Sequence, residues 1–218
     1  MNEKNTSDTV IRRRLLPAER ERQILDGAIA FFAEVGLTGQ TRELAQRLGI
    51  TQPLIYRYFP TKKDLIDRVF EDVFAGRWKP EWSALVTDRS QTLRDRLITF
   101  YSEYVTEAFS YEWVRIYMFA GLAGEDLNRR YIALLEQALL EPLCRELRHT
   151  AGVDVDDATA VDDRELEGAW HIHAAVFYYI VRKHIYGAPV DPDLEKFIAD
   201  SVDRALVGSL EQLRGRLA

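Results

Sequence analysis

The chain has 218 residues, 47% of them hydrophobic and 29% charged, with a formal net charge of −6 at pH 7. That length supplies a core of real size, and that composition excludes a disordered chain. The single cysteine, Cys144, excludes an internal disulfide framework, and the longest apolar run, the eight residues Ala174–Val181, is too short for the roughly 20 residues that span a bilayer.

In chain order, the polar opening MNEKNTSDTV has no apolar leader, which with the lone cysteine predicts a soluble cytoplasmic protein. Residues 1–16 read as a flexible arm carrying Arg12, Arg13 and Arg14. A first helix is expected from Pro17, suited to an opening turn, to Gly36, suited to a left-handed cap. Its stripe is Ile24, Ala28, Phe31, Phe32 and Val35. Short helices over 41–48 and 52–58 and a longer one over 62–76 follow. After a break at Lys79-Pro80, helices are expected near 90–109, 112–122, 127–149, 163–186 and 192–215. No alternating strand pattern interrupts them, so the fold class is all-α.

Charge is divided along this series. Residues 1–64 carry 11 Lys/Arg against 8 Asp/Glu, a net +3, and residues 65–218 carry 18 against 27, a net −9. A basic head on an acidic body predicts a head that meets a polyanion. Within it, TRELAQRLGITQPLIYRYFPTKKDL (41–65) holds five cations and two carboxylates around a Gly-Ile turn. Ala45 is small enough for a second helix to cross closely, and Gly49 permits the positive φ of a tight turn, the pattern of a helix-turn-helix. Thr51 is placed to cap the second helix, and Pro53 falls in its first turn, where a missing N–H costs nothing.

In these residues the chain resembles the TetR family of bacterial transcriptional regulators. The resemblance rests on Ala28-x-x-Phe31-Phe32, on Leu44-Ala45-Gln-Arg-Leu-Gly49-Ile50-Thr51 and on Ile55-Tyr56-Arg-Tyr-Phe59-Pro-Thr-Lys62-Lys63-Asp-Leu65, over about residues 18–70. It implies recognition-helix contacts from Gln52, Pro53, Leu54, Tyr56, Arg57 and Tyr58, a phosphate clamp at Lys62 and a backbone contact at Arg42, while Thr51, as the cap, directs the helix N-terminus towards a phosphate. Arg57 and Tyr58 depart from the residues common at their positions, which implies an operator sequence of the chain's own. The implied architecture is an N-terminal helix-turn-helix domain, residues 1–64, on a C-terminal effector-binding and dimerisation domain, residues 65–218.

In the body, Phe100, Tyr104, Trp113, Tyr117, Trp170, His173, Phe177 and Tyr178 are candidate walls of a sensor pocket, combining aromatic faces with polar tips. The same residue types also fill cores, and helical position alone does not separate the two roles. The broad apolar faces of the last two helices predict a homodimer. The histidines, His149, His171, His173 and His184, form no His-x-x-x-His pair, and Cys144 has no neighbouring base, so no catalytic constellation and no metal site are expected. Asp154, Asp156, Asp162 and Glu165 have the spacing of a calcium loop, but Ala158 and Thr159 stand where a ligand and a glycine are needed. The expected function is a DNA-binding regulator, without cofactor, that represses from a palindromic operator as a dimer and is relieved by a small apolar or aromatic effector. A regulator controlled by a protein partner or by abundance is the alternative, and a helical-bundle enzyme a remote one.

Overall fold

The computed structural model describes residues 15–124, 126–153, 156 and 159–215. Among them every regular element is helical. Helix α1, Pro17–Val35, starts at proline, and its Leu16 N–H donates to Glu19 Oε2 at 2.8 Å, which satisfies a donor that the helix leaves open. The expected stripe is inside: Ile24, Ala28 and Phe32 are fully buried. Helices α2, Thr41–Leu48, and α3, Gln52–Tyr58, are joined at Gly49, whose φ of 62° and ψ of 35° close the turn in the left-handed region. The Ile50 N–H returns to Ala45 O at 3.0 Å. Gly27 of α1 gives α2 its close approach, since a Cβ there would stand 2.4 Å from Leu48 Cδ2. Helix α4, Lys62–Val73, opens with Thr61 and Asp64 capping each other's backbone N–H groups.

The division expected at residues 64 and 65 falls inside α4, a single helix that packs on α1 at one end and leads into the body at the other. The break expected at Lys79-Pro80 is instead the start of a helix, α5, Pro80–Thr87, with the proline in its first turn. Helices α6, Leu93–Glu107, and α7, Tyr111–Ala123, follow the expected pattern. The helix expected over 127–149 is two, α8, Leu127–Leu135, and α9, Glu141–Ala151, joined through a wider turn at Glu136–Leu140. Pro142 explains the widening, because it supplies no N–H to the carbonyl of Ala138; Ser83 Oγ donates to that oxygen instead, at 3.0 Å. Helices α10, Asp163–His184, and α11, Leu194–Gly215, complete the bundle.

Two buried ionic groups fasten the body. Glu146 of α9 lies 2.9 Å from Arg96 Nη1, both side chains 3% exposed, and accepts from Arg89 Nε at 3.0 Å. Arg148 makes two 2.6 Å bonds to Glu165 and donates to the carbonyls of Thr159 and Ala160. The guanidinium holds the Glu165 carboxyl below its usual range. Asp154 and Ala158 of the calcium-like loop, like Arg12–Arg14, lie outside the described residues.

Candidate nucleic-acid interface and effector cavity

The head presents one outward surface built from the start of α2, the length of α3 and the start of α4. Arg42, Thr51, Pro53, Tyr56 and Arg57 are exposed, and Gln52, Leu54, Tyr58 and Lys62 are half-buried. Ile55 is fully buried and holds α3 against the core, with the Tyr58 ring resting on the same cluster. Several cations of the head and of α4 are neutralised by a carboxylate. Arg22 lies 2.6 Å from Asp72, Lys63 lies 2.5 Å from Asp67, Arg68 lies 3.8 Å from Asp72, and Arg47 reaches both Glu34 and Glu43. Arg42, Arg57 and Lys62 have no acidic or hydrogen-bonding partner among the described residues. Cations without a counter-charge at the start of α2, on α3 and at the start of α4 are available to an anion.

Thr41 organises this surface. It is buried at the start of α2, with its Oγ1 2.8 Å from the Tyr56 hydroxyl and accepting from Gln52 Nε2 at 2.8 Å. Gln52 and Tyr56 of α3 are thereby tied to the start of α2. The expected cap is corrected: Thr51 has the extended backbone of an N-cap, but its side chain accepts no backbone N–H of α3, so its hydroxyl stays on the exposed surface.

A cavity of about 180 Å³ lies in the body between α7, α8 and α10. Five candidates from the sequence meet on its wall: Trp113, Tyr117, Trp170, His173 and Phe177. Tyr131, Ile132, Leu135 and Ala174 complete it. Three candidates do not line it. Phe100 and Tyr104 are fully buried and stacked on each other with centroids 5.2 Å apart, as part of the core beneath. Tyr178 is 55% exposed and meets Tyr186 on the outer face of α10, because it stands one residue past Phe177 and so points away. Tyr131 was hidden from sequence reading because its role depends on a contact across helices: its hydroxyl pairs with that of buried Tyr104. Burial without a partner pushes the His173 imidazole down to about 3, which keeps it neutral, and burial pushes the Tyr131 phenol above its usual range against the opposing hydrogen bond from Tyr104.

The helices that wall the cavity also grip the head. On α7, between cavity residues Trp113 and Tyr117, Arg115 donates to the Ala33 and Glu34 carbonyls at the end of α1. On α8, next to Tyr131, Arg130 lies 2.7 Å from Asp67 of α4, with its guanidinium 3.8 Å from the Phe70 ring centroid. Asn128 ties the two gripping helices by donating to the Tyr117 carbonyl at 3.0 Å. Elsewhere, Cys144 is buried, its thiol pushed up to about 12 by burial, and its Sγ donates to the Glu165 carbonyl at 3.3 Å. Among the described residues no three His, Cys, Asp or Glu side chains gather to hold a metal, and no helix is long and apolar enough to cross a membrane.

A helix-turn-helix head with an uncompensated cationic face, joined through α4 to an all-α body, defines the class. The family model of bacterial regulatory proteins of the tetR family matches residues 24–69. Over 85 residues the chain is 29% identical to the class A tetracycline repressor protein from transposon 1721 of Escherichia coli, covering 35% of this chain and 39% of that one. It is 33% identical over 63 residues to the HTH-type transcriptional regulator LuxR of Vibrio harveyi, covering 28% of this chain and 31% of that one. The sequence matches thus span well under half the length of these relatives. The fold match is longer: a TetR-like transcriptional regulator from Rhodococcus sp. RHA1 is 18% identical with a TM-score of 0.63, covering 91% of this chain and 99% of that one. AmtR of Mycobacterium smegmatis is 20% identical with a TM-score of 0.60, covering 95% and 97%. The head, over residues 24–69, matches the tetR family of bacterial regulatory proteins, and the fold along most of the chain is similar to that of TetR-like structures.

Proposed function

We propose that the protein is a transcriptional regulator that binds a palindromic operator as a homodimer and leaves it when a small effector fills the cavity of the body. The observation that carries the reading is the cationic face of the head, where Arg42, Arg57 and Lys62 are uncompensated while the neighbouring cations are paired. With α3 in the major groove, Arg57 and the Gln52 amide meet base edges, while Arg42 and Lys62 meet phosphates on either side. Pro53, Leu54 and Tyr58 supply apolar and ring contact from the same helix, and the exposed Thr51 and Tyr56 hydroxyls donate to the backbone.

The dimer forms on the outer faces of α10 and α11. Ala174, Ala175, Tyr178, Val207 and Gly208 are exposed there, and their mostly small side chains permit close helix approach. Effector relief runs through the two gripping helices. A ligand between Trp113, Tyr117 and Tyr131 separates α7 from α8, and the Arg115 and Arg130 contacts carry that displacement to α1 and α4. The two heads then no longer match half-sites about 34–36 Å apart.

Fluorescence anisotropy on mixed-sequence duplex at two salt concentrations tests the face. Lys62→Ala is expected to weaken binding to every sequence and lower the salt slope by about 1, as loss of one phosphate contact requires. Arg57→Ala is expected to cost about 1–3 kcal/mol on the preferred sequence and much less on others. Unchanged affinity in both variants would remove the head from DNA.

A further inference from the structure

What Gln52 asks of DNA is set by how its amide is held, given the reading of α3 as a major-groove helix on which the inference rests. Gln52 is the first residue of α3 and is half-buried. Its Nε2 donates to Thr41 Oγ1 at 2.8 Å and lies 3.5 Å from the Tyr56 hydroxyl. Thr41 is 5% exposed, and its Oγ1 is also 2.8 Å from the Tyr56 hydroxyl, so the nitrogen end of the amide rests on a closed pair of hydroxyls. The other end differs. Oε1 has no hydrogen-bonding partner among the described residues, yet it is not one of the buried polar atoms left without a partner, so water reaches it.

An amide has a donor end and an acceptor end, and its two-point contact to adenine takes N6 with the oxygen and N7 with the nitrogen. That contact needs both ends side by side at the base edge. With the nitrogen end drawn in to Thr41, the oxygen is the end presented. An oxygen is satisfied only where the base donates, and in the major groove the donors are the exocyclic amino groups of adenine and cytosine. Guanine O6 and thymine O4 are acceptors. Facing either of them, Oε1 and the base oxygen both lose water with no proton between them.

We propose that Gln52 reads its base pair through Oε1 alone, as an acceptor from an exocyclic amino group, and so takes adenine or cytosine on the strand it faces and rejects guanine and thymine. Thr41 imposes this as a positioning residue that itself touches no base. One position of each half-site is then tolerant between A and C and strict against G and T.

Fluorescence anisotropy of the full chain on duplexes carrying the sequence selected from random DNA tests this, with each base pair of a half-site varied in turn. The pair read by Gln52 is the one whose variation stops mattering in Gln52→Leu. At that pair, A and C on one strand are expected to bind within about twofold of each other, and G and T about two- to tenfold more weakly, the range one net hydrogen bond supports. Two adenine analogues then separate the oxygen from the nitrogen. Unsubstituted purine, which lacks the amino group, is expected to bind as weakly as G, and 7-deazaadenine, which keeps the amino group and lacks N7, as tightly as adenine. Gln52→Glu, which offers only acceptors, is expected to bind all duplexes more weakly but to keep that ranking. Thr41→Val releases the nitrogen end, and 7-deazaadenine is then expected to bind more weakly than adenine. A wild type that loses as much on 7-deazaadenine as on unsubstituted purine reads adenine at two points, and one that loses on 7-deazaadenine alone reads it with a donor; either result overturns the proposal. A Thr41→Val protein as indifferent to N7 as the wild type overturns the part assigned to Thr41. If no base pair depends on Gln52 while Arg57→Ala still abolishes a preference, the inference fails and the DNA reading of the head stands; if no duplex is preferred at all, both fail.

Discussion

Thr41 Oγ1 sits 2.8 Å from both the Tyr56 hydroxyl and Gln52 Nε2, so two α3 residues are tied to a third residue on α2. Thr41→Val keeps the shape and removes the hydroxyl. It is expected to cost preferred-sequence affinity about two- to tenfold, with binding to unrelated duplex unchanged, which anisotropy on the two duplexes reads directly. His173 gives a second expectation. Its folded pKa of about 3 lies below the ordinary value of 6.5, so between those values the unfolded chain binds a proton that the native one does not. Stability from this group is therefore intact above pH 6.5 and falls as pH drops, by about 2 kcal/mol between pH 7 and 5. Chemical denaturation of wild type and His173→Leu at both pH values checks it, with a smaller loss expected in the variant. The sequence exposed the residue types and spacing of the head, because Arg42, Arg57 and Lys62 stand at fixed offsets from Gly49. It did not expose the role of Thr41, which exists only where α2 and α3 cross. In the body, spacing grouped Phe100 and Tyr104 with Trp113 and Tyr117, since all four are aromatic on helix faces; only the packing divides core from cavity wall.

The elements were largely legible, and their departures have local causes. Proline at Pro80 reads as a break in sequence but opens α5, because a missing N–H is free of cost in a first turn. The segment 127–149 reads as one helix, but ahead of Pro142 it divides into α8 and α9 at a widened turn whose freed carbonyl is met from α5 by Ser83. No sequence pattern announces that partner. The pairing of cavity wall and head contact on α7 and on α8 was equally invisible, since the partners of Arg115 and Arg130 lie on α1 and α4, far away in the chain. It yields a prediction about coupling. Arg130→Ala removes the contact with Asp67 and the Phe70 ring while leaving Tyr131 and Ile132 in place. Effector affinity is expected to stay within about twofold, while the effector-induced loss of DNA affinity shrinks by fivefold or more, in the range of allosteric couplings of about 1–3 kcal/mol. Titrating DNA with and without ligand measures both quantities on one protein, and an undiminished effector response would place the coupling elsewhere.

For the whole molecule, the apolar faces of the last two helices divide between core and outside in a way their composition did not show. Leu206 of α11 is 8% exposed and belongs to the protomer's own core, whereas neighbouring Val207 is 60% exposed. A charge at Leu206 thus tests folding, and a charge at Val207 tests association. Val207→Glu is expected to leave the helical content and thermal transition of the protomer intact and to shift the sedimentation coefficient to that of a monomer. It is also expected to weaken operator binding far more than it weakens binding to short half-site duplexes, because the second head no longer adds its contacts. A wild type that sediments as a monomer at micromolar concentration would refute the dimer. The central claim is that two copies of this head read one symmetric stretch of DNA, and selection of bound duplexes from a random-sequence pool by the full-length protein tests it most directly. Enrichment of one two-fold-symmetric sequence with half-sites one helical turn or a multiple apart is expected, and that enrichment should be lost with Arg57→Ala. A pool that stays random after repeated rounds, or that converges on an asymmetric site unaffected by Arg57→Ala, would contradict it.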